Sequence, residues 1–189
     1  MDPSLPPGLY IVATPIGNLG DLGPRAAETL RGAALILAED KRVTAKLLAH
    51  AGATARMATY NDHSSEDDRK RALEAIATQA VALVCDAGTP LISDPGYKLV
   101  RAAREAGHPI FTIPGPCAAI AALTLAGLPT DRFLFVGFLP AKAKARGDAI
   151  GEIAGVRATL IAYESGQRLG DSLAELANRL GKREAAVVR

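Results

Sequence analysis

The chain is predicted to be an α/β protein made of two α/β domains, and three observations carry that expectation. Short apolar or β-prone runs alternate with helical material, several of the runs are continuously apolar, and each empties into a turn-rich segment. Apolar strands separated by helices imply a parallel sheet covered on both faces. The 189 residues, 49% of them apolar, allow one large domain or two small ones.

The first domain is expected over residues 1–115, with strands at 10–13, 34–38, 56–60, 81–85 and 110–113 forming a five-stranded, mainly parallel sheet. The fourth strand, Val81-Ala82-Leu83-Val84-Cys85, runs into Asp86-Ala87-Gly88-Thr89-Pro90-Leu91-Ile92-Ser93-Asp94-Pro95-Gly96. Open α/β sheets bind ligands at the carboxyl ends of their strands, so this loop is where a small molecule is expected. Ser64-Ser65 followed by the charge run 66–71, acids first and bases after, reads as ordinary helix-start electrostatics rather than an RNA patch. The next helix, 97–106, places Leu99, Val100 and Ala103 on one face and ends at Gly107, a left-handed cap before Pro109.

Pro114-Gly115-Pro116 breaks the fifth strand, and an Ala-rich helix from about 117 to 126 ends at Gly127-Leu128-Pro129. This hinge and helix, 114–129, leads into a second α/β domain over 116–189. Its expected elements are strand 133–138, helix 145–153, strand 158–164 and helix 168–180, the last with Leu169, Leu173, Leu176 and Leu180 as its apolar face. Val187-Val188 resembles the opening of another strand. A section of this size with two full strands is a poor independent domain, so the second domain is expected to be incomplete.

A formal net charge of +2 excludes a highly basic nucleic-acid tail and leaves RNA binding to be argued from particular residues. The start, Met-Asp-Pro-Ser-Leu-Pro-Pro-Gly, lacks the basic and apolar regions of a secretory signal. The longest nearly apolar stretch, 117–128, falls short of the ~20 residues that span a bilayer. A cytoplasmic protein with no membrane contact is expected. Cys85 and Cys117 have no Cys or His at metal spacing and read as free thiols in a reducing compartment. His50, His63 and His108 form no ligand pair, so no metal site is expected.

The exit of the first strand, Ala13-Thr14-Pro15-Ile16-Gly17-Asn18-Leu19-Gly20-Asp21, invites comparison with a dinucleotide fingerprint, because Asp40 follows about twenty residues on. The fingerprint fails. Its glycine spacing is absent, and Pro15 removes one N–H that a pyrophosphate cradle uses.

Six segments, taken in order, resemble one known family: Val12-Ala13-Thr14-Pro15-Ile16-Gly17-Asn18-Leu19, Ala38-Glu39-Asp40-Lys41-Arg42, Ser93-Asp94-Pro95-Gly96 within the long loop, Pro114-Gly115-Pro116-Cys117-Ala118-Ala119, Gly137-Phe138-Leu139-Pro140 and Tyr163-Glu164-Ser165. The resemblance is to the 16S rRNA cytidine 2′-O-methyltransferases of the tetrapyrrole-methylase superfamily, and it runs the length of the chain. It implies a two-domain enzyme, commonly a homodimer, that binds S-adenosylmethionine in the cleft between its domains and methylates a cytidine ribose in 16S rRNA or the small ribosomal subunit. Carried over residue by residue, it assigns the cofactor to Pro15, Ile16, Gly17, Gly88, Thr89, Pro90, Leu91, Ile92, Cys117, Ala118, Ala162, Tyr163 and Glu164. It also implies that the family continues beyond the equivalent of Arg189.

These residue types suit the chemistry. A sulfonium nucleoside carries its own positive charge and needs a dry pocket with close main-chain approach, which Gly, Pro and small residues permit; Thr89 or Ser93 can add a hydroxyl. Methyl transfer from sulfur is chiefly a matter of positioning, but a ribose hydroxyl needs a base. Candidates are Glu39, Asp40, His63 and Asp86. Arg42, Lys142, Lys144 and Arg146 are candidates for RNA phosphates, although Glu39, Asp40 and Arg42 can equally form a structural ion cluster and the later cations a solvated linker. The chain departs from the family at Lys41, at Ser64-Ser65, where Asn-Glu is usual, and at Gly166-Gln167, where Pro-His is usual; the last change removes a histidine. Two other readings stay open: a small-molecule, tetrapyrrole-type methylase, and a non-catalytic nucleotide-binding or ribosome-interaction module.

Overall fold

In the computed structural model, which describes residues 5–189, five strands pair in parallel in the order β3-β2-β4-β1-β5. They are β1 (Gly8–Val12), β2 (Leu35–Ala38), β3 (Arg56–Thr59), β4 (Ala80–Val84) and β5 (Ile110–Ile113). β2 and β4 are buried along their whole length, because helices cover both faces. Alternation then sorts the side chains. Tyr10, Val12, Ile36, Ala38, Ala82 and Val84 join Ala26 and Leu30 of α1 (Pro24–Gly32) and Leu47 and Leu48 of α2 (Lys41–Ala51). On the opposite face, Leu9, Leu35, Leu37, Val81 and Leu83 pack with Ala72 and Ile76 of α3 (Glu66–Thr78) and Leu99 and Ala103 of α4 (Tyr97–Glu105). β1 and β4 are neighbours, yet the chain leaving β1 goes to one face and the chain leaving β4 to the other. Such a divergence opens a crevice at the carboxyl edge of an α/β sheet.

Local signals place the helix ends. The Ser65 hydroxyl accepts from the Asp68 N–H at 3.1 Å and the Asp68 carboxylate accepts from the Ser65 N–H at 2.9 Å, the reciprocal cap that starts α3. Gly107, at φ 74°, ends α4 as expected, with the His108 N–H returning to the Ala103 carbonyl at 2.9 Å.

The chain divides into two compact units, Met1–Cys117 and Ala118–Arg189. The second holds α5 (Ala118–Leu125), β6 (Phe133–Phe138), α6 (Ala143–Ile153), β7 (Thr159–Tyr163) and α7 (Leu169–Leu180). Its two strands pair in parallel from Phe133 opposite Thr159 to Phe138 opposite Tyr163, with a register shift in between, where Gly137 takes φ 68°. Tyr163 meets Phe135 and Phe138 edge-to-face at 4.8 and 5.4 Å, and its hydroxyl accepts from the Ala119 N–H at the start of α5. Two expectations are corrected. The buried residue of α7 is Ser172, whereas Leu173 is 38% exposed, because Ser172 turns inward to the Glu164 carboxylate. Val187 and Val188 form no strand; both lie exposed without a ladder partner.

Candidate functional site

The loops leaving β1, β4 and β5 converge within the first unit. Thr14 and Gly88 exchange backbone hydrogen bonds at 2.8 and 3.1 Å, an antiparallel bridge that staples the β1 exit to the β4 exit. The buried Thr14 hydroxyl lies 3.3 Å from the Cys85 carbonyl and 3.4 Å from that of Gly88, donating across the same junction. From the third side, the Thr89 hydroxyl donates to the Pro116 carbonyl at 2.9 Å. Its proton is therefore committed to the protein, and the hydroxyl that Thr89 can offer is an acceptor. Pro15, Gly88 and Pro90 are buried, Ile16, Thr89, Leu91 and Cys117 half-buried, and Gly17, Ile92 and Ala118 exposed.

The β4 loop is held in unusual backbone geometry. Gly88 takes φ 88°, and a Cβ there would sit 3.4 Å from the Ile16 side chain; Leu91 and Ser93 take φ 74° and 62° without being glycine. Two such residues within three positions cost of order 1–3 kcal/mol each and persist only when the surroundings impose them, a pattern that clusters at ligand clamps. Gly96 shows one source of that imposition. At φ 127° its missing Cβ leaves room for Leu83 Cδ2, which would lie 2.7 Å away.

Beside these loops the acids at the ends of β2 and β4 meet. The Asp86 N–H donates to Glu39 Oε2 at 3.3 Å, and Asp86 Oδ1 accepts from the Asp40 N–H at 3.1 Å. Burial raises the Glu39 carboxyl above its ordinary value; the Asp86 N–H pulls it back, while the charges of Asp86, Asp94 and Asp62 push it further up. Asp40 is otherwise employed: it caps α2 through the Arg42 N–H and pairs with the Arg42 guanidinium at 2.7 Å, which holds its carboxyl at about 2. So acidic a carboxylate is a weak base, which argues against catalysis by Asp40. Asp86 acts as the clasp between the two strands. His63 lies exposed in the turn after β3, its N–H donating to Asn61 Oδ1, and is not brought to the acids by any of these bonds.

Two residues of this site escaped the sequence reading as functional candidates. Burial drives the Cys85 thiol well up, and it is hydrogen-bonded to Asp94, whose carboxyl burial likewise raises. Asp94 sits inside the motif quoted above. What the sequence lacked was the turn that returns position 94 to the end of its own strand.

In the second unit, burial tends to raise the Glu164 carboxyl, and the Ser172 hydroxyl at 2.5 Å, the Ser165 N–H and Arg168 at 2.7 Å together outweigh it and bring it below its ordinary value. Its acceptors are thus spent on structure, which counts against a cofactor contact through the carboxylate. Glu164, Ser165 and Arg168 hold one another in this knot, while Gly166 and Gln167 lie exposed. Ala162 is exposed and Tyr163 half-buried. Lys142 and Lys144 are exposed, as phosphate contacts must be, and so is Arg42. Arg146 is corrected: only 7% exposed, it donates to the Ala141 carbonyl at 3.2 Å and turns inward on α6, out of reach of a nucleic-acid backbone.

Among the described residues no cluster of His, Cys, Asp and Glu can hold a metal, and no helix is long and apolar enough to cross a membrane. The model of the tetrapyrrole (corrin/porphyrin) methylases matches residues 8–189, and the chain belongs to that family. Within it, the chain is similar to the ribosomal RNA small subunit methyltransferase I of Escherichia coli O157:H7, 52% identical over 95% of this chain and 63% of that protein. It is 58% identical to the protein of the same name from Erythrobacter litoralis, over 98% of this chain and 66% of the relative. The chain therefore spans just under two thirds of the length of these relatives. Among solved structures, diphthine synthase superposes with a TM-score of 0.70 at 16% identity, covering 90% of this chain and 71% of that one. The uroporphyrin-III C-methyltransferase from Thermus thermophilus, complexed with S-adenyl homocysteine, gives 0.63 at 24%, covering 93% and 78%. These likenesses establish the fold.

Proposed function

We propose that the chain belongs to an S-adenosylmethionine-dependent methyltransferase that modifies the ribose 2′-hydroxyl of a cytidine in small-subunit ribosomal RNA. The observation that carries this reading is the strained 86–96 loop stapled to the β1 exit, in a chain more than half identical to proteins named for ribosomal RNA methylation. The loops fit a sulfonium nucleoside: they offer main chain and small residues at close approach, with no cationic side chain in the Thr14–Gly88–Pro116 junction. Pro15, Ile16 and Gly17, the 88–92 segment and Cys117 would hold it, with Ala118, Ala162, Tyr163 and Glu164 kept as candidates on resemblance. When bound, it supplies an activated methyl group on a positively charged sulfur.

The chain's own residues then have two tasks. The stapled loops keep a fixed geometry, so that orientation is set before reaction, an effect worth up to ~7–11 kcal/mol. Glu39 is the best of the candidate bases, because its raised carboxyl is the stronger acceptor and it is held at the mouth of the sheet by the Asp86 N–H. Glu39 would accept the ribose hydroxyl proton at its carboxylate, while the nucleoside held by the loops would supply the methyl to the ribose oxygen and leave as its neutral thioether. Homodimer assembly and a cytoplasmic location belong to the same reading, as do Arg42, Lys142 and Lys144 as phosphate contacts.

The decisive experiment follows labelled methyl from S-adenosylmethionine into small-subunit rRNA that lacks the modification, with nuclease mapping of the product. A 2′-O-methylated cytidine is expected; label in a porphyrin precursor instead would support a small-molecule methylase and sink this reading. Thr89→Arg should abolish cofactor binding in calorimetry while leaving the unfolding transition in place, and Glu39→Gln should lower kcat by ~10²–10⁴ with cofactor affinity retained.

A further inference from the structure

A cavity of about 220 Å³ opens at the exit of β3, and Asp94, the partner of the Cys85 thiol, is part of its lining. It is small beside the ~300–1,000 Å³ of ordinary cofactor pockets, which suits one nucleotide unit rather than a whole cofactor. Its walls come from three places brought together by the sheet: the turn carrying Asn61 and Asp62, Arg69 on the first turns of α3, and Gly96, Tyr97 and Lys98 at the start of α4. Arg69 is three-quarters buried, braced by the Tyr60 hydroxyl and 3.8 Å from the exposed Glu66 carboxylate, a long contact that leaves its guanidinium held in place with donors to spare. Tyr97 is 66% exposed, unusual for an aromatic ring, and its hydroxyl is tied to Arg101 one helical turn along, which fixes how the ring stands.

The charge pattern selects the ligand. Arg69 and Lys98 offer two cations and Asp62 and Asp94 two carboxylates, so the pocket as a whole is close to neutral and is no general trap for anions. A ribonucleotide matches that mixture: a phosphate for the cations, hydroxyl donors for the carboxylates, and a base face for an exposed aromatic ring. DNA lacks the 2′-hydroxyl that one of the carboxylates would accept from. The residue that the charge run 66–71 contributes, Arg69, thus has a task beyond helix electrostatics.

We infer that this cavity seats a nucleotide of the RNA substrate flanking the modified one, with Arg69 and Lys98 on its phosphate, Tyr97 stacked on its base and Asp62 reading its ribose hydroxyl. The inference rests on the reading of the chain as an RNA methyltransferase and adds to it a specificity-determining subsite next to the 86–96 loop. The site discriminates RNA from DNA and grips single-stranded RNA whose bases are splayed out.

The test measures binding of a fluorescein-labelled, cytidine-containing single-stranded RNA, and of the all-deoxy strand of the same sequence, by anisotropy with S-adenosylmethionine present. Tyr97→Ala should raise the RNA Kd at least about fivefold. Lys98→Ala should weaken binding and reduce the slope of log Kd against log salt by about 0.7. Asp62→Ala should narrow the preference for RNA over DNA. All three positions are exposed, so the folded state survives the changes, and cofactor affinity by calorimetry should stay at the parent value. RNA affinities within twofold of the parent in all three variants would overturn the subsite while leaving the methyltransferase reading intact. Equal losses of RNA and cofactor affinity would overturn it as a separate site. A parent protein that binds no RNA would remove the reading and the subsite together.

Discussion

Glu39 and Gly96 show how much of this site is decided by single residues. Glu39 binds its proton more tightly in the folded state, because burial and then the neighbouring acids disfavour its charge. Its effect on stability is therefore absent below the ordinary value of 4.5, appears as pH rises through the raised folded value, and is a full penalty above it. Glu39→Gln should be at least as stable as the parent at neutral pH and indistinguishable from it in acid, in urea unfolding followed across pH. A parent that is the more stable at pH 7 would contradict this sign. Asp40 runs the other way: its carboxyl is held low by Arg42, so its contribution is present above 3.8 and fades as pH falls toward about 2. Gly96 combines φ 127° with a Cβ position 2.7 Å from Leu83 Cδ2. Gly96→Ala should destabilise by about 2 kcal/mol or more, read as a lowered Tm, since strain and overpacking act together.

At the scale of elements, the helices were the more legible part. The Ser65 cap with its three acids, and the Gly107 end of α4, are local chemistry and stand where the sequence places them. The strand signals were equally local, because continuous apolar runs separated by turn residues leave little choice of period. Burial along α7 was not legible, since a partner eight residues away, Glu164, draws Ser172 inward against the hydropathy of Leu173. Within α2 the Thr44 hydroxyl is buried with no hydrogen-bond partner, a condition that costs about 1–3 kcal/mol. Thr44→Val keeps the shape and removes the orphan group. It should raise stability by about 1 kcal/mol, visible as a higher urea midpoint at unchanged m-value, and a loss of stability would show that the hydroxyl is satisfied in solution.

For the whole molecule, the two units differ in what they can do by themselves. The first has a five-stranded sheet with apolar helices on both faces, whereas the second has a two-stranded sheet. Sheets of two strands are marginal in water, and three or more with a buried face are needed for independence. The first unit expressed as residues 1–117 should unfold in one cooperative transition; residues 118–189 expressed alone should show none. Cooperative unfolding of the second piece in calorimetry would show that its helices suffice.

The sequence by itself determined the class of fold, the order of strands and helices along the chain and the loops that leave the carboxyl ends of the strands, because propensity, hydrophobic period and turn chemistry act over a few residues. The tertiary structure decided which of the candidate side chains are available. Asp40 is spent on a helix cap and an ion pair, Glu164 on a hydroxyl and an arginine, Arg146 on the Ala141 carbonyl just ahead of α6, while Asp94 and Arg69 line the cavity at the exit of β3. Those outcomes depend on contacts between residues far apart in the chain, such as Asp86 with Glu39 across 47 positions, and on how much water each charge retains. Neither quantity is carried by local pattern, and both follow only once parallel pairing has set the ends of β2 and β4 side by side.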